Sequence, residues 1–223
     1  MKYSLLYNMI HGGNTTAKNR PTKGGGSGNP SPSHSEPGYK IVRIGGHKLR
    51  EKKSIDRRLK GVKAGDYVIL EYGGNYCDYN WAAVSAYPDG EHQPAFSFGQ
   101  FREAYDYAIA RTQALEAKAV LLTLPALLPQ RYFDHVSRNL DHKRILHWLR
   151  DDVCNLNHWR DEYNDEILSL ASQHQVPVID ISNALLRRSH ADDCYSDDGM
   201  HPNSRGHGVI AELIDGWVHR QQA

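Results

Sequence analysis

Cysteine, surplus charge and long apolar runs are all scarce in this sequence, and each scarcity excludes something. Lys and Arg number 27 against 26 Asp and Glu, a formal net charge of +1 over 223 residues. Binding nucleic acid or an anionic membrane through a general field requires a clear basic excess, so neither partner is expected. The three cysteines, Cys77, Cys154 and Cys194, are odd in number, far apart and without a Cys-x-x-Cys pair. Neither a disulfide framework nor a thiolate zinc site is expected, and a reducing cytoplasm is the expected compartment. Mean hydropathy is −0.65, and no apolar run approaches the length of a membrane span. The start, Met1 to Tyr7, has one basic residue and no small-residue cleavage site, so no signal peptide is expected. What the chain does have is 39% apolar residues and 13 histidines. The first suffices for one buried core, and the second raises the question of which histidine does chemistry.

The chain changes character near residue 40. Residues 14–38 are rich in Gly, Pro, Ser, Asn and Thr, with Gly24-Gly25-Gly26-Ser27-Gly28-Asn29-Pro30-Ser31-Pro32 at the centre. Such a stretch buries too little to offset its ordering entropy, so residues 1–38 are expected to form an atypical, partly disordered segment. The glycine run is not closed by Gly-Lys-Ser/Thr, so it is no phosphate loop.

From Tyr39 onward strands and helices alternate. Tyr39–Ile44, Asp66–Tyr72, Ala119–Leu124 and Val176–Ile181 read as strands. Lys48–Lys60 looks helical, as do a segment carrying Phe101, Tyr105, Ala108, Thr112 and Leu115, a long one carrying Val153, Leu156, Trp159, Tyr163, Ile167 and Leu170, and Asn203–His219. Strands that are apolar on both faces imply a parallel sheet covered by helices on both sides. Ligands of such sheets bind just beyond the carboxyl ends of the strands. The loops after Ile44, Tyr72, Leu124 and Ile181, and the start of the last helix, are therefore where a site is expected.

Two constellations fall in those loops. Gly73-Gly74-Asn75 follows the strongest strand; its glycines permit a sharp turn, and Asn75 can turn its amide N–H into a pocket as an oxyanion donor. The bland alternative is an ordinary turn. Asp198-Gly199-Met200-His201-Pro202 precedes the last helix. A carboxylate three residues before a histidine can accept Nδ1–H and leave Nε2 as a general base. The spacing alone is weak, since Asp89 and His92 repeat it. His92, in a Pro-flanked loop downstream of Asn75, and Trp81, six residues after it, are candidates to line the same cleft, with solvated histidine and core aromatic as their plainer uses. Gly45-Gly46 ends a strand where a backbone N–H could join an oxyanion hole. His201 and His207 lack a third ligand, so no metal is expected.

Taken together, Gly73-Gly74-Asn75 and the late Asp198-x-x-His201-Pro resemble the SGNH (GDSL-type) hydrolase superfamily. Tyr72 to Trp81, Asp89-Gly90-Glu91-His92-Gln93-Pro94 and Leu122-Thr123-Leu124-Pro125 are similar to a bacterial branch of it. The resemblance runs from about Gly45 to the C-terminus. It implies an α/β class fold, a three-layer α/β/α sandwich with a mostly parallel, flavodoxin-like sheet, over residues 39–223. It also implies ester hydrolysis of a small-molecule substrate without cofactor or metal. Carried over by position, Gly45 (or Gly46) and Asn75 match the oxyanion donors, His201 the base and Asp198 its partner, with Gly74, Trp81 and His92 toward the substrate. Tyr76 stands where the family usually has Asp. The family's nucleophile block, Gly-Asp-Ser after a first strand, is not found. Gly12-Gly13-Asn14 occupies its place in one alignment; in another, slightly favoured, the block is missing, as a truncated or frame-shifted start would leave it. Doubtful turnover in this chain follows, with a non-catalytic ligand-binding domain of the same fold as the alternative. A flavodoxin-like nucleotide binder would need the phosphate loop that is absent.

Overall fold

The computed structural model describes residues 41–44, 52–71, 73 and 77–221, with only the backbone of 41–44. The expectation for residues 1–38 lies outside them. In chain order the elements are β1 (Ile41–Ile44), α1 (Lys52–Arg58), β2 (Tyr67–Leu70), α2 (Trp81–Ala86), α3 (Phe98–Gln113), β3 (Lys118–Leu122), α4 (Pro129–Val136), α5 (His142–Trp148), α6 (Asn155–His174), β4 (Val178–Ile179), α7 (Ile181–Leu186), a 3₁₀ turn (Ala191–Cys194) and α8 (Ser204–Arg220). The four described strands form one sheet in sequential order, every pair parallel. That is the layered α/β/α arrangement the alternation predicts.

Side chains of a strand alternate between faces, and here each face has its own core. Val68, Leu70, Ala119 and Leu121 join Ile55 of α1, Leu59 just beyond it, Phe101 and Tyr105 of α3, and Tyr163 and Ile167 of α6. Tyr67, Ile69, Val120, Leu122 and Ile179 pack against Ile181 and Leu185 of α7 and Val209, Ile210 and Ile214 of α8. Burial on both sides explains why β2 and β3 read as unbroken apolar runs.

A third cluster joins Trp81 and Val84 of α2, Tyr132 and Phe133 of α4, Ile145 of α5, Leu127, Leu149, and Leu156 of α6. Apart from α6, it belongs to elements that the sequence pattern did not resolve. Its helices are held by local chemistry: Asn80 caps α2 by accepting from Ala83 N–H, Asp141 caps α5 by accepting from Lys143 and Arg144 N–H, and Pro129 occupies the first turn of α4.

Strand ends are shorter than expected. β4 stops at Ile179 because Asp180 turns out of the sheet to cap α7, accepting from Asn183 N–H at 3.1 Å. Beyond β2 the chain turns at Gly73, whose φ is +138°. A Cβ there would stand 2.7 Å from Phe101 Cε2, so both backbone conformation and space call for glycine.

Candidate active site

The loop before α8 is built around Asn203. Its side-chain oxygen caps the helix through Arg205 and Gly206 N–H, while its amide donates to the Asp193 and Tyr195 carbonyls. A bridge between Tyr195 and Pro202 and the bond from Ser196 N–H to His201 O close the loop. Gly199 sits at φ +70°, where a Cβ would meet Tyr132 N at 2.7 Å. Its carbonyl accepts Leu128 N–H at 2.8 Å. The loop is thereby docked on the start of α4, beyond the carboxyl end of β3.

Within it Asp198 holds His201 twice. Oδ2 accepts from Nδ1 at 2.7 Å, and Oδ1 accepts the backbone N–H of Met200 and of His201, each at 2.9 Å. Partial burial pushes the Asp198 carboxyl up, but the His201 N–H, the His201 ring and Met200 N–H outweigh it and hold it below the ordinary value of 3.8. The carboxylate side chain is 21% exposed and the imidazole 55%. An ionised carboxylate on Nδ1 fixes the tautomer and turns Nε2 outward as a proton acceptor.

The repeat of this spacing at Asp89 and His92 gives a different result. Asp89 pairs with His147 of α5 at 2.9 Å, and His92 Nε2 bonds the Tyr87 carbonyl at 2.8 Å while its ring meets Trp148 edge-on. His92 thus stands on the outer side of the aromatic cluster. Trp81, expected in a loop, instead opens α2 and is buried. Gly45, Gly46, Gly74, Asn75 and Tyr76 lie outside the described residues.

Met200, the residue before His201, lines a small cleft. Cys77, Asp78, Trp81, Tyr132 and Arg160 are also among its lining residues. Asp78 Oδ1 is the hub of the wall, accepting Tyr79 N–H at 2.8 Å, Trp81 Nε1–H at 2.7 Å and the Tyr132 hydroxyl at 2.6 Å. Burial pushes the Cys77 thiol up to about 12, and its S–H donates to the Gly73 carbonyl at 2.9 Å; it is a packed thiol, not a nucleophile. The sequence reading included Asp78 in the loop after the glycine turn without giving it a role, and it missed Tyr132 and Arg160. The cue for Asp78 was its adjacency to the glycine turn; Tyr132 and Arg160 gave none, since distant segments bring them here. Among the described residues no group of three or more His, Cys, Asp or Glu is placed to hold a metal, and no helix is long and apolar enough to cross a membrane.

A parallel sheet clad in helices, with an acid–imidazole pair in a loop beyond its carboxyl ends, defines an α/β protein of hydrolase architecture. The chain belongs to the GDSL-like lipase/acylhydrolase family, whose model matches residues 34–209, more than half of its length. Among solved structures it is similar to an α/β hydrolase enzyme from the metagenome of Lake Arreo, Spain, at 21% identity, with 76% of this chain and 67% of that chain covered and a TM-score of 0.50. It is also similar to the lipase/acylhydrolase from Enterococcus faecalis (17% identity, 76% and 70% covered, TM-score 0.42). A member of the lipolytic G-D-S-L family from Veillonella parvula matches at 14% identity, 76% and 73% covered, TM-score 0.48. At these identities the likeness concerns the fold. No curated protein matches the chain.

Proposed function

We propose that the protein hydrolyses a small ester, with His201 as general base and Asp198 as its positioning partner. The observation that carries this is the 2.7 Å Asp198–His201 bond on an exposed imidazole. Nε2 takes the proton of the attacking hydroxyl as its oxygen closes on the ester carbonyl, the imidazolium returns that proton to the leaving alkoxide, and Nε2 then deprotonates a water that attacks the acyl ester so formed, releasing the acid and restoring the hydroxyl. The ionised Asp198 stabilises the imidazolium in between. Asn75 and the Gly45 N–H, by their place in the sequence, supply the donors for the oxyanion, and Gly74 and Trp81 border the substrate. Three free cysteines fit a cytoplasmic setting.

A second reading rests on two observations. The sequence contains no Gly-Asp-Ser, and no serine hydroxyl among the described residues bonds His201. A binding domain that keeps the cleft without turning over its ligand would have this appearance. Hydrolysis of p-nitrophenyl acetate by the full chain and by His201→Ala decides between them. The proposal expects turnover that falls about 10²- to 10⁴-fold in the variant, the usual worth of general acid–base catalysis. Turnover equal in both proteins overturns the role of His201. Absent turnover, together with absent labelling by a fluorophosphonate probe, leaves the binding domain.

A further inference from the structure

Helix α6 presents a polar row to the segment that follows β3. Asn164 accepts Leu124 N–H at 2.7 Å and donates to Leu124 O at 3.2 Å. Asn157 does the same to Leu127, at 2.9 and 3.4 Å. These positions are seven apart, on one face of a helix. Between them on that face lies Arg160, which is 4% exposed, lines the cleft beside Met200, and has an Nη1 with no hydrogen-bond partner among the described residues. No described carboxylate forms an ion pair with it. A guanidinium is always charged, and a buried, unpaired charge is the costliest group a fold can keep. Its two neighbours in the row are paired with backbone; Arg160 faces an opening.

We infer that Arg160 Nη1 receives an oxygen of a carboxylate carried by the ligand of this cleft. The lining selects the chemistry. Among the described residues Arg160 is the one Lys or Arg of the cleft and Asp78 lies in the same wall, which suits a singly charged group presenting one oxygen to Nη1 rather than a doubly charged phosphate. A single charge-assisted N–H···O bond suits a carboxylate oxygen entering from the open side, with its carbon stem against Trp81, Leu127, Leu156 and Met200. Asp78 faces the same space and opposes an anion, but its Oδ1 is already satisfied by three donors. Resting on the hydrolase reading, the inference names the substrate class: an ester that also bears a free carboxylate, held one residue away from the general base.

Trp81 and Trp159 line the cleft, so tryptophan fluorescence of the full chain reports its filling. At constant ionic strength, titration with acetate is expected to give a saturable change, and acetamide, its neutral isostere, none. Equal responses, or none to acetate, overturn the inference. Monomethyl succinate is expected to compete with acetate; if acetate alone binds, the ligand is a free acid rather than a carboxylate-bearing ester. Arg160→Gln, if folded by circular dichroism, is expected to weaken acetate at least about 10-fold, and a response preserved in it places the carboxylate elsewhere. If that variant does not fold, the acetate and acetamide arms on the native protein decide. Asp78→Asn, which keeps an acceptor for Trp81 and Tyr132, is expected to tighten acetate; unchanged affinity contradicts the placement. The acetate and acetamide arms contain no ester, and the monomethyl succinate arm is run in His201→Ala, so none of these titrations depends on turnover. Their failure leaves catalysis by His201 standing, and absent hydrolysis leaves the carboxylate site standing.

Discussion

Asp198 carries two consequences at the residue scale. Its carboxyl titrates below the ordinary 3.8 in the folded chain. The unfolded chain therefore binds the proton more readily, and the stability that Asp198 contributes is complete above pH 3.8 and is lost as pH falls through the folded value. Urea unfolding of the native protein and of Asp198→Asn should show a gap that is constant from pH 5 to 6 and closes below pH 3.8, whereas a gap independent of pH would mean that Asn replaces the carboxylate fully. Gly199 makes a sterner demand. An alanine there must hold φ near +70° with its Cβ 2.7 Å from Tyr132 N, and the strain is on the order of 1–3 kcal/mol. Gly199→Ala should lower the melting temperature and, by shifting the Asp198–His201 loop off α4, lower any ester turnover as well. The acid–imidazole pair was legible in the sequence because four residues in one turn contain all of it. Arg160 was not legible: a lone arginine between Trp159 and Asp161 reads as the solvated side of an amphipathic helix, and nothing local reveals that another layer covers it.

Elements show the same division between local and distant causes. The long strands and helices announced themselves by periodicity; α2, α4 and α5 did not, because six to eight residues span too few turns for a pattern and their caps, Asn80 and Asp141, occur as readily in loops. The aromatic cluster they form, with Tyr79 at 4.5 Å from Trp159 and Trp148 at 4.7 Å from Trp159, unites segments far apart in sequence. Helix α6 ties that region to the sheet. Among the described residues Asn164 is the only partner of Leu124 N–H and C=O beyond the end of β3, and all three groups are buried. Asn164→Leu keeps the volume and strands both backbone groups, each costing about 1–3 kcal/mol. Guanidinium-chloride unfolding should register a loss of roughly 2–6 kcal/mol, far more than Asn164→Asp measured at acid pH, where a protonated carboxyl accepts Leu124 N–H and donates to Leu124 O. Equal losses would show that packing volume, rather than the paired amide, holds the turn.

Across the whole molecule, the sheet is a single layer shared by two cores. Val68 and Leu70 belong to one, Tyr67 and Ile69 to the other, so neither face can open without exposing alternate residues of the same strands. The cysteines are placed to report on this. Cys154 is exposed, Cys77 is buried in the core under α3, and Cys194 is buried in the core under α8. Under native conditions a thiol reagent such as dithionitrobenzoate should modify Cys154 at once and the other two slowly. In increasing denaturant the two slow thiols should converge on one rate, because each then waits for the same cooperative opening. Should Cys77 stay faster than Cys194 at every denaturant concentration, the segment that leads from Gly73 into the cleft opens by itself, and the cleft floor is then separable from the sheet that supports it.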